Sequence, residues 1–310
     1  MKKIFATIAA IVLAAGAAFA QDMAELTEVY NSAAALLQEE NKAGALENFN
    51  KAVIMAEAIG DEAADILSEC KGIIPKLSLS MAKDLVKAGD FDAAVLNLDY
   101  VAKVAEKYDD FDTMGEATGL IPQVLKQKGA TQIKDKDYAG AVDTYNKILA
   151  DDPADGVSAL RLGSALSALG KTEEAISAFE TAAANGQDAQ ANKQIGTIFL
   201  KKASANLKEK KYADAVENAL KSNEYAANPQ ALQIAGQASQ LAGKNADAIK
   251  YLSQYLEAAP TAKNAGQIAY TVGALYQNAK NNAKAKEFYS KALSDPKYGP
   301  EAKKLIDTLK

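Results

Sequence analysis

A chain of 310 residues, 49% of them hydrophobic, is long enough to bury a large core, so length leaves the architecture open and composition has to narrow it. Histidine and tryptophan are absent and Arg161 is the single arginine, which removes the usual base at neutral pH, the commonest metal ligand, the best stacking surface and nearly every bidentate grip on phosphate or carboxylate. A net charge of −5 argues against nucleic acid as a partner, and abundant alanine, lysine and glutamate with only 7 prolines is a helical profile.

In chain order the first element is a targeting signal. Residues 1–20 read MKKIFATIAAIVLAAGAAFA, with two lysines, an apolar stretch and the small-x-small ending Ala18-Phe19-Ala20. This is the pattern of a secretory signal peptide cleaved between Ala20 and Gln21. The apolar stretch is shorter than the ~20 residues a membrane span needs. Cleavage removes Lys2 and Lys3 and leaves 33 basic against 40 acidic residues, a net charge of −7. No later apolar run is long enough to span a bilayer, so the mature chain is expected without a transmembrane segment, in the periplasm or secreted. Cys70 is the only cysteine, which excludes an intramolecular disulfide; its surroundings, DILSECKGIIP, place it as a small side chain on a helical apolar face.

From there to the end the chain repeats. An alanine recurs in a fixed context at Ala45, Ala94, Ala141, Ala175, Ala215, Ala248 and Ala285. Four residues later stands Phe49, Leu98, Tyr145, Phe179, Ala219, Leu252 or Tyr289, and twelve residues earlier Ala33, Ala82, Gly129, Gly163, Ala203, Gly236 or Gly273. The early residue is always small and the late one is large in every unit but one. Such a pairing suits two helices packed closely, the small residue admitting the second helix and the large side chain filling the gap. Five residues before each alanine lies Gly89, Gly170 or Gly243, or else Glu or Lys, which marks a helix end and tight turn. Each unit is therefore predicted as helix, turn, helix, with helices of ~14 residues and ~21 Å.

The segment KDYAGAVDTYNKILADDP, Lys136 to Pro153, carries Tyr138, Ala141, Tyr145, Ile148 and Pro153. The next unit carries Leu162, Gly163, Leu166, Ala175, Phe179 and Ala182, and Pro260 and Pro296 close two later units. With these residues the chain resembles the tetratricopeptide repeat (TPR) family, in an exported bacterial form, over roughly residues 26–297. The resemblance implies an all-α fold, a right-handed α-solenoid of about seven TPR-like helix-turn-helix units with a C-terminal capping helix. It also implies a binding or scaffolding role, without catalysis.

Departures from the family period set the domain reading. Steps between the repeat alanines are 49, 47, 34, 40, 33 and 37 residues, against a period of about 34. The two long steps hold the strings Gly72-Ile73-Ile74-Pro75 and Gly119-Leu120-Ile121-Pro122, read as helical extensions with the proline at a helix start or a kink. Residues 21–135 are thus N-terminal units with extended helices, 136–297 regular units and 298–310 a cap, with Pro300 in its first turn and Leu305, Ile306 and Leu309 on one stripe. Ala219, where a large residue is expected, predicts less regular packing between Phe199 and Asn228.

Chemistry is sparse. Gly170-Lys171-Thr172 lies in an inter-helix turn with no strand before it and is no phosphate loop. The pairs Asp109-Asp110, Asp151-Asp152 and Glu173-Glu174 fit no calcium loop. Without histidine no Ser-His dyad forms. No catalytic residue, cofactor or metal site is expected.

In stacked helix pairs the first helices line the concave side. Projecting their free faces puts Lys76, Lys83, Lys87, Lys126 and Lys134 in the early units. The late units present Gln230, Gln233, Gln237, Gln240, Gln267, Tyr270 and Gln277. Glutamines can pair with the backbone of an extended peptide and lysines with acidic groups; equally, both types simply solvate an exposed helix. The expected partner is an unknown protein or peptide bound in the cell envelope, with a homo-oligomer left open. The alternative is a glycan or small molecule held by the amide-rich groove, which the absence of tryptophan weakens.

Overall fold

The computed structural model describes residues 23–309; the signal peptide expected over residues 1–20 and its expected cleavage point lie outside them. Among the described residues every long element is an α-helix. The chain forms two compact units, one ending at Ala150 and one beginning at Asp151. The first holds α1 (Met23–Gln38), α2 (Lys42–Ile59), α3 (Ala64–Lys87), α4 (Phe91–Lys107), α5 (Phe111–Lys134) and nearly all of α6 (Tyr138–Asp151). The second holds α7 (Gly156–Ala168), α8 (Thr172–Ala182), α9 (Asp188–Lys208), α10 (Tyr212–Tyr225), α11 (Pro229–Leu241), α12 (Asn245–Ala258), α13 (Ala265–Asn278), α14 (Asn282–Ala292) and α15 (Gly299–Thr308). Odd- and even-numbered helices pair as hairpins, α1 with α2 through α13 with α14, the α5–α6 pair meeting where Thr144 donates to Gln132 at 2.8 Å, and α15 packs on the last pair.

Each hairpin turn follows one backbone recipe. The residue five before every repeat alanine has a positive φ: Glu40, Gly89, Lys136, Gly170, Lys210, Gly243 and Lys280, between 59° and 77°. There the next residue's N–H reaches back to the carbonyl five positions earlier, as in Asn41 to Leu36 at 2.9 Å and Lys211 to Asn206 at 2.9 Å, which satisfies the carbonyls left over at a helix end. The same next residue starts the following helix. Where it is Asn or Asp, its side chain caps the new helix: Asn41, Asp90, Asp137 and Asn281 each accept from the backbone N–H three residues on. Lys171, Lys211 and Lys244 hold that place without a side-chain cap.

The hairpins close where the repeat pattern requires. All seven repeat alanines are fully buried, as are Ala33, Ala82 and Ala203. A β-carbon added at Gly129, Gly163 or Gly273 would lie 2.7 Å from the ring of Tyr145, Phe179 or Tyr289, and one at Gly236 would lie 2.5 Å from Leu252. Those four large side chains are at most 2% exposed. The glycine is therefore the contact surface for its partner, and any side chain there displaces a buried one.

Helix lengths depart from the even ~14 residues expected. The first helices of the hairpins run 16, 24, 24, 13, 21, 13 and 14 residues. The extensions of α3 and α5 fall where the long steps put them, but Pro75 and Pro122 stand well inside those helices and not at a helix start. Each removes one backbone hydrogen bond, a loss the long packed helix tolerates. The 21 residues of α9 follow a turn around Gly186, whose φ is 83°.

The hairpin of α9 and α10, expected to pack less regularly, closes through contacts of its own. Ala203 and Ala219 are both fully buried, and a β-carbon added at Gly196 would lie 3.2 Å from the Ser222 carbonyl oxygen and from the Ala226 methyl. The buried Ser222 hydroxyl donates to the Gly196 carbonyl at 2.8 Å, tying the two helices directly. At the end of the chain, α15 lays Leu305, Ile306 and Leu309 against a cluster with Tyr289 and Ala292, as a cap must.

Candidate binding faces

The first unit contains an open cleft of about 630 Å³ between α1 and α3. Its α1 wall is Tyr30 and Leu37, three before and four after the buried Ala33 and so on one face. Its α3 wall is Glu69, Gly72, Ile73, Lys76 and Leu77. Tyr30 is held from two sides: its ring meets Phe49 edge-on at 5.8 Å and its hydroxyl donates to Glu69 Oε2 at 2.5 Å. That hydrogen bond, with partial burial and the Glu69 charge, pushes the phenol up to about 12. Behind the cleft Cys70 is fully buried as a free thiol, and burial pushes it up to about 11.

Of the lysines expected at the inner face of this unit, Lys76 is exposed at the cleft and Lys134 is exposed at the end of α5, neither with an ion pair or side-chain hydrogen bond among the described residues. Lys126 is also exposed. Lys83 pairs with Glu116 at 2.6 Å, bridging α3 and α5. Lys87 lies 3.3 Å from Asp84, which Lys42 also engages, and these two ammonium groups hold the Asp84 carboxyl below the usual range. Exposed pairs of this kind contribute roughly 0–1 kcal/mol each, so they orient side chains more than they stabilise the fold.

In the second unit the amides divide into two groups. Gln233 Oε1 accepts from Asn264 Nδ2 at 3.1 Å, and Asn264 Oδ1 in turn accepts from the Tyr255 hydroxyl at 2.5 Å. Gln277 Oε1 accepts from the Tyr289 hydroxyl at 2.7 Å, across its own hairpin. Tyr270 packs between Tyr289 and Tyr298, with ring centroids 5.4 and 5.3 Å away. These three are used by the scaffold. Gln230, Gln240 and Gln267 are exposed and Gln237 half-buried, and none of the four side chains makes a hydrogen bond among the described residues.

Charge separates the units. At six and three residues before the small packing residue, and one and four after it, α7 carries Val157, Leu160, Ser164 and Ser167, and α9 carries Thr197, Leu200, Ser204 and Leu207. The same positions of α11 are all glutamine, and those of α13 are Gln267, Tyr270, Ala274 and Gln277. None is charged, although 24% of the chain is, so this face is suited to polar neutral or apolar contacts. Among the described residues no group of acidic, cysteine or histidine side chains is arranged to hold a metal ion, and no helix is long and apolar enough to cross a membrane.

Residues 132–193 and 266–294 match the tetratricopeptide repeat family, on the hairpins whose glycine contacts are described above. The chain is a tetratricopeptide repeat protein. Its fold class is accordingly the all-α solenoid of that family. This TPR protein is 28% identical over 136 residues to the ancillary SecYEG translocon subunit of Aggregatibacter actinomycetemcomitans, across 43% of this chain and 67% of the relative. Similar solved structures include MamA, at 18% identity and a TM-score of 0.36 over 59% of this chain and 96% of that one. YrrB, described as a TPR protein with an unusual peptide-binding site, is similar at 19% identity and a TM-score of 0.33, over 58% and 91%. The TPR domain of P58(IPK) is similar at 15% identity and a TM-score of 0.28, over 91% and 98%.

The cleft of this TPR protein was only partly visible in its sequence. Lys76 marked it, whereas Tyr30, Leu37 and Glu69 did not, although Tyr30 and Leu37 occupy on α1 the offsets that projection used on later helices. A uniform projection from Ala33 reaches both.

Proposed function

We propose that this TPR protein is a non-catalytic adaptor of the bacterial cell envelope that binds or scaffolds protein partners through the free faces of its first helices. The observation that carries this reading is the cleft of the first unit, where Leu37 is 38% exposed beside Ile73 and Leu77. Apolar side chains left beside a charged rim are suited to receiving a segment of another protein. The envelope setting is supported by the signal-like residues 1–20 and by the translocon relative. A non-catalytic role is supported by the absence of histidine from the whole sequence.

Site-specific photocrosslinking in the native host tests the reading. A photoreactive residue at Lys76 or Gln237 is expected to give discrete adducts with other proteins, while one at Glu47, exposed on α2, gives none. Adducts with copies of the same chain alone would replace the adaptor with a self-assembling protein, and identical patterns from all three positions would remove the faces assigned here.

The second reading, a glycan or small-molecule binder, is favoured by the unbonded amides of Gln230, Gln237 and Gln240 on one helix, since amides suit hydroxyl partners. Native mass spectrometry of the protein isolated from its host separates the two. A bound small molecule lost in the Gln237→Leu variant supports this second reading, and its absence supports the first.

A further inference from the structure

The α1–α3 cleft carries a pattern that the protein's own packing does not use. Glu69 and Lys76 are seven residues apart on α3, two turns and about 10 Å along one face, with Gly72 and Ile73 between them. Neither charge has an ion-pair partner among the described residues; Glu69 is held by the Tyr30 hydroxyl, and Lys76 is exposed. Gly72 stands inside a 24-residue helix, where glycine is about 1 kcal/mol less favourable than alanine. A β-carbon there would meet nothing within 4 Å, unlike the glycines of the hairpin contacts. Internal packing therefore does not require this glycine. Its missing side chain deepens the cleft midway between the two charges.

Resting on the binding role proposed above, we infer that this cleft receives an amphipathic helix of a partner protein bearing one basic and one acidic residue seven positions apart, with a large apolar side chain between them. The basic residue meets Glu69, the acidic residue meets Lys76, and the apolar side chain enters over Gly72 toward Ile73, Leu77 and Leu37. A helix matches because its residues i and i+7 lie on one face at the same spacing of about 10 Å. In an extended strand, about 10 Å is three residues, and residues three apart point to opposite faces.

The test uses fluorescein-labelled, alanine-based helical peptides with leucine at i+3 and i+4 and either Lys and Glu, Lys and Lys, or Glu and Glu at i and i+7, titrated with the purified chain and read by anisotropy. The Lys/Glu peptide is expected to bind at least about tenfold tighter than either like-charged peptide, and about tenfold tighter than a version whose helix is broken by a central proline. In Lys76→Glu the preference should move to the Lys/Lys peptide. Gly72→Leu should abolish binding while leaving the melting temperature unchanged or higher, because the new side chain enters open space. Equal binding of the peptides, equal binding of the proline version, or full binding by Gly72→Leu overturns the inference. Crosslinked partners in cells together with no discrimination among the peptides would sink this inference and leave the adaptor reading standing; loss of the crosslinks would remove the reading itself.

Discussion

In the first unit Gly129 lies against Tyr145, and in the second Gly163, Gly236 and Gly273 lie against Phe179, Leu252 and Tyr289. Turns, buried alanines and closing contacts are alike in both. The faces turned away from those contacts are not. The first unit has two 24-residue first helices, an open cleft and lysines at 76, 83 and 126, whereas the second presents neutral side chains at all the corresponding positions. The difference shows that the packing rule constrains one stripe of each first helix and leaves the opposite stripe free to diverge, so function should be sought where the units disagree.

Four results break or sharpen that comparison. The largest effect is expected from overpacking: Gly129→Leu and Gly163→Leu should each lower stability by about 1–3 kcal/mol in thermal unfolding, because the ring facing each glycine is buried. A loss at only one of them would mean that the units do not share the rule. Next come the turns. Glu40→Gly and Lys210→Gly replace residues with positive φ, and each should raise stability by about 0.5–1 kcal/mol. Unchanged melting temperatures would show that the turns carry no strain.

The third effect belongs to the first unit alone and depends on pH. The Tyr30 phenol is raised above its unfolded value, so the folded chain keeps this proton while the unfolded chain releases it. Its contribution to stability is thus present below about pH 10 and is lost as pH rises toward about 12. Tyr30→Phe should flatten the decline in stability across that window and remove one late-ionising tyrosine from an ultraviolet titration. An unaltered titration would contradict the Tyr30–Glu69 bond. The smallest effect is Gln237→Leu, which should stay within about 0.5 kcal/mol of the parent because that amide supports nothing in the scaffold. A loss comparable with Gly163→Leu would mean that the free face of the second unit is in fact structural.

Much of the fold was legible because the residues that make a hairpin are close in sequence. Gly163 and Phe179 are sixteen residues apart, and the turn between them is marked by Gly170, so one short window contains a complete physical unit. The length of α9 was not legible, since no proline marks it and only the 40-residue step hinted at extra chain. The absorption of Ala219 was hidden for a related reason: its compensation is the Ser222 bond to Gly196, an offset that no other repeat uses. The binding faces were harder still. Gln277 and Tyr270 looked free on their own helix, yet Tyr289 of the next helix engages both. Gly72 read as part of a repeated Gly-x-x-Pro string, and its place in a cleft depends on Tyr30 and Leu37, which lie some forty residues earlier.

The most direct measurement is a set of single alanine substitutions that separates glycines used for packing from those that are not. Thermal unfolding of Gly129→Ala, Gly163→Ala and Gly273→Ala is predicted to show destabilisation, of about 1 kcal/mol or more, despite the better helix propensity of alanine. Gly72→Ala and Gly119→Ala, whose β-carbons meet nothing within 4 Å, are predicted to gain about 0.5–1 kcal/mol. If all five shift in the same direction, the glycines are not where the hairpins close, and the account of this fold is wrong.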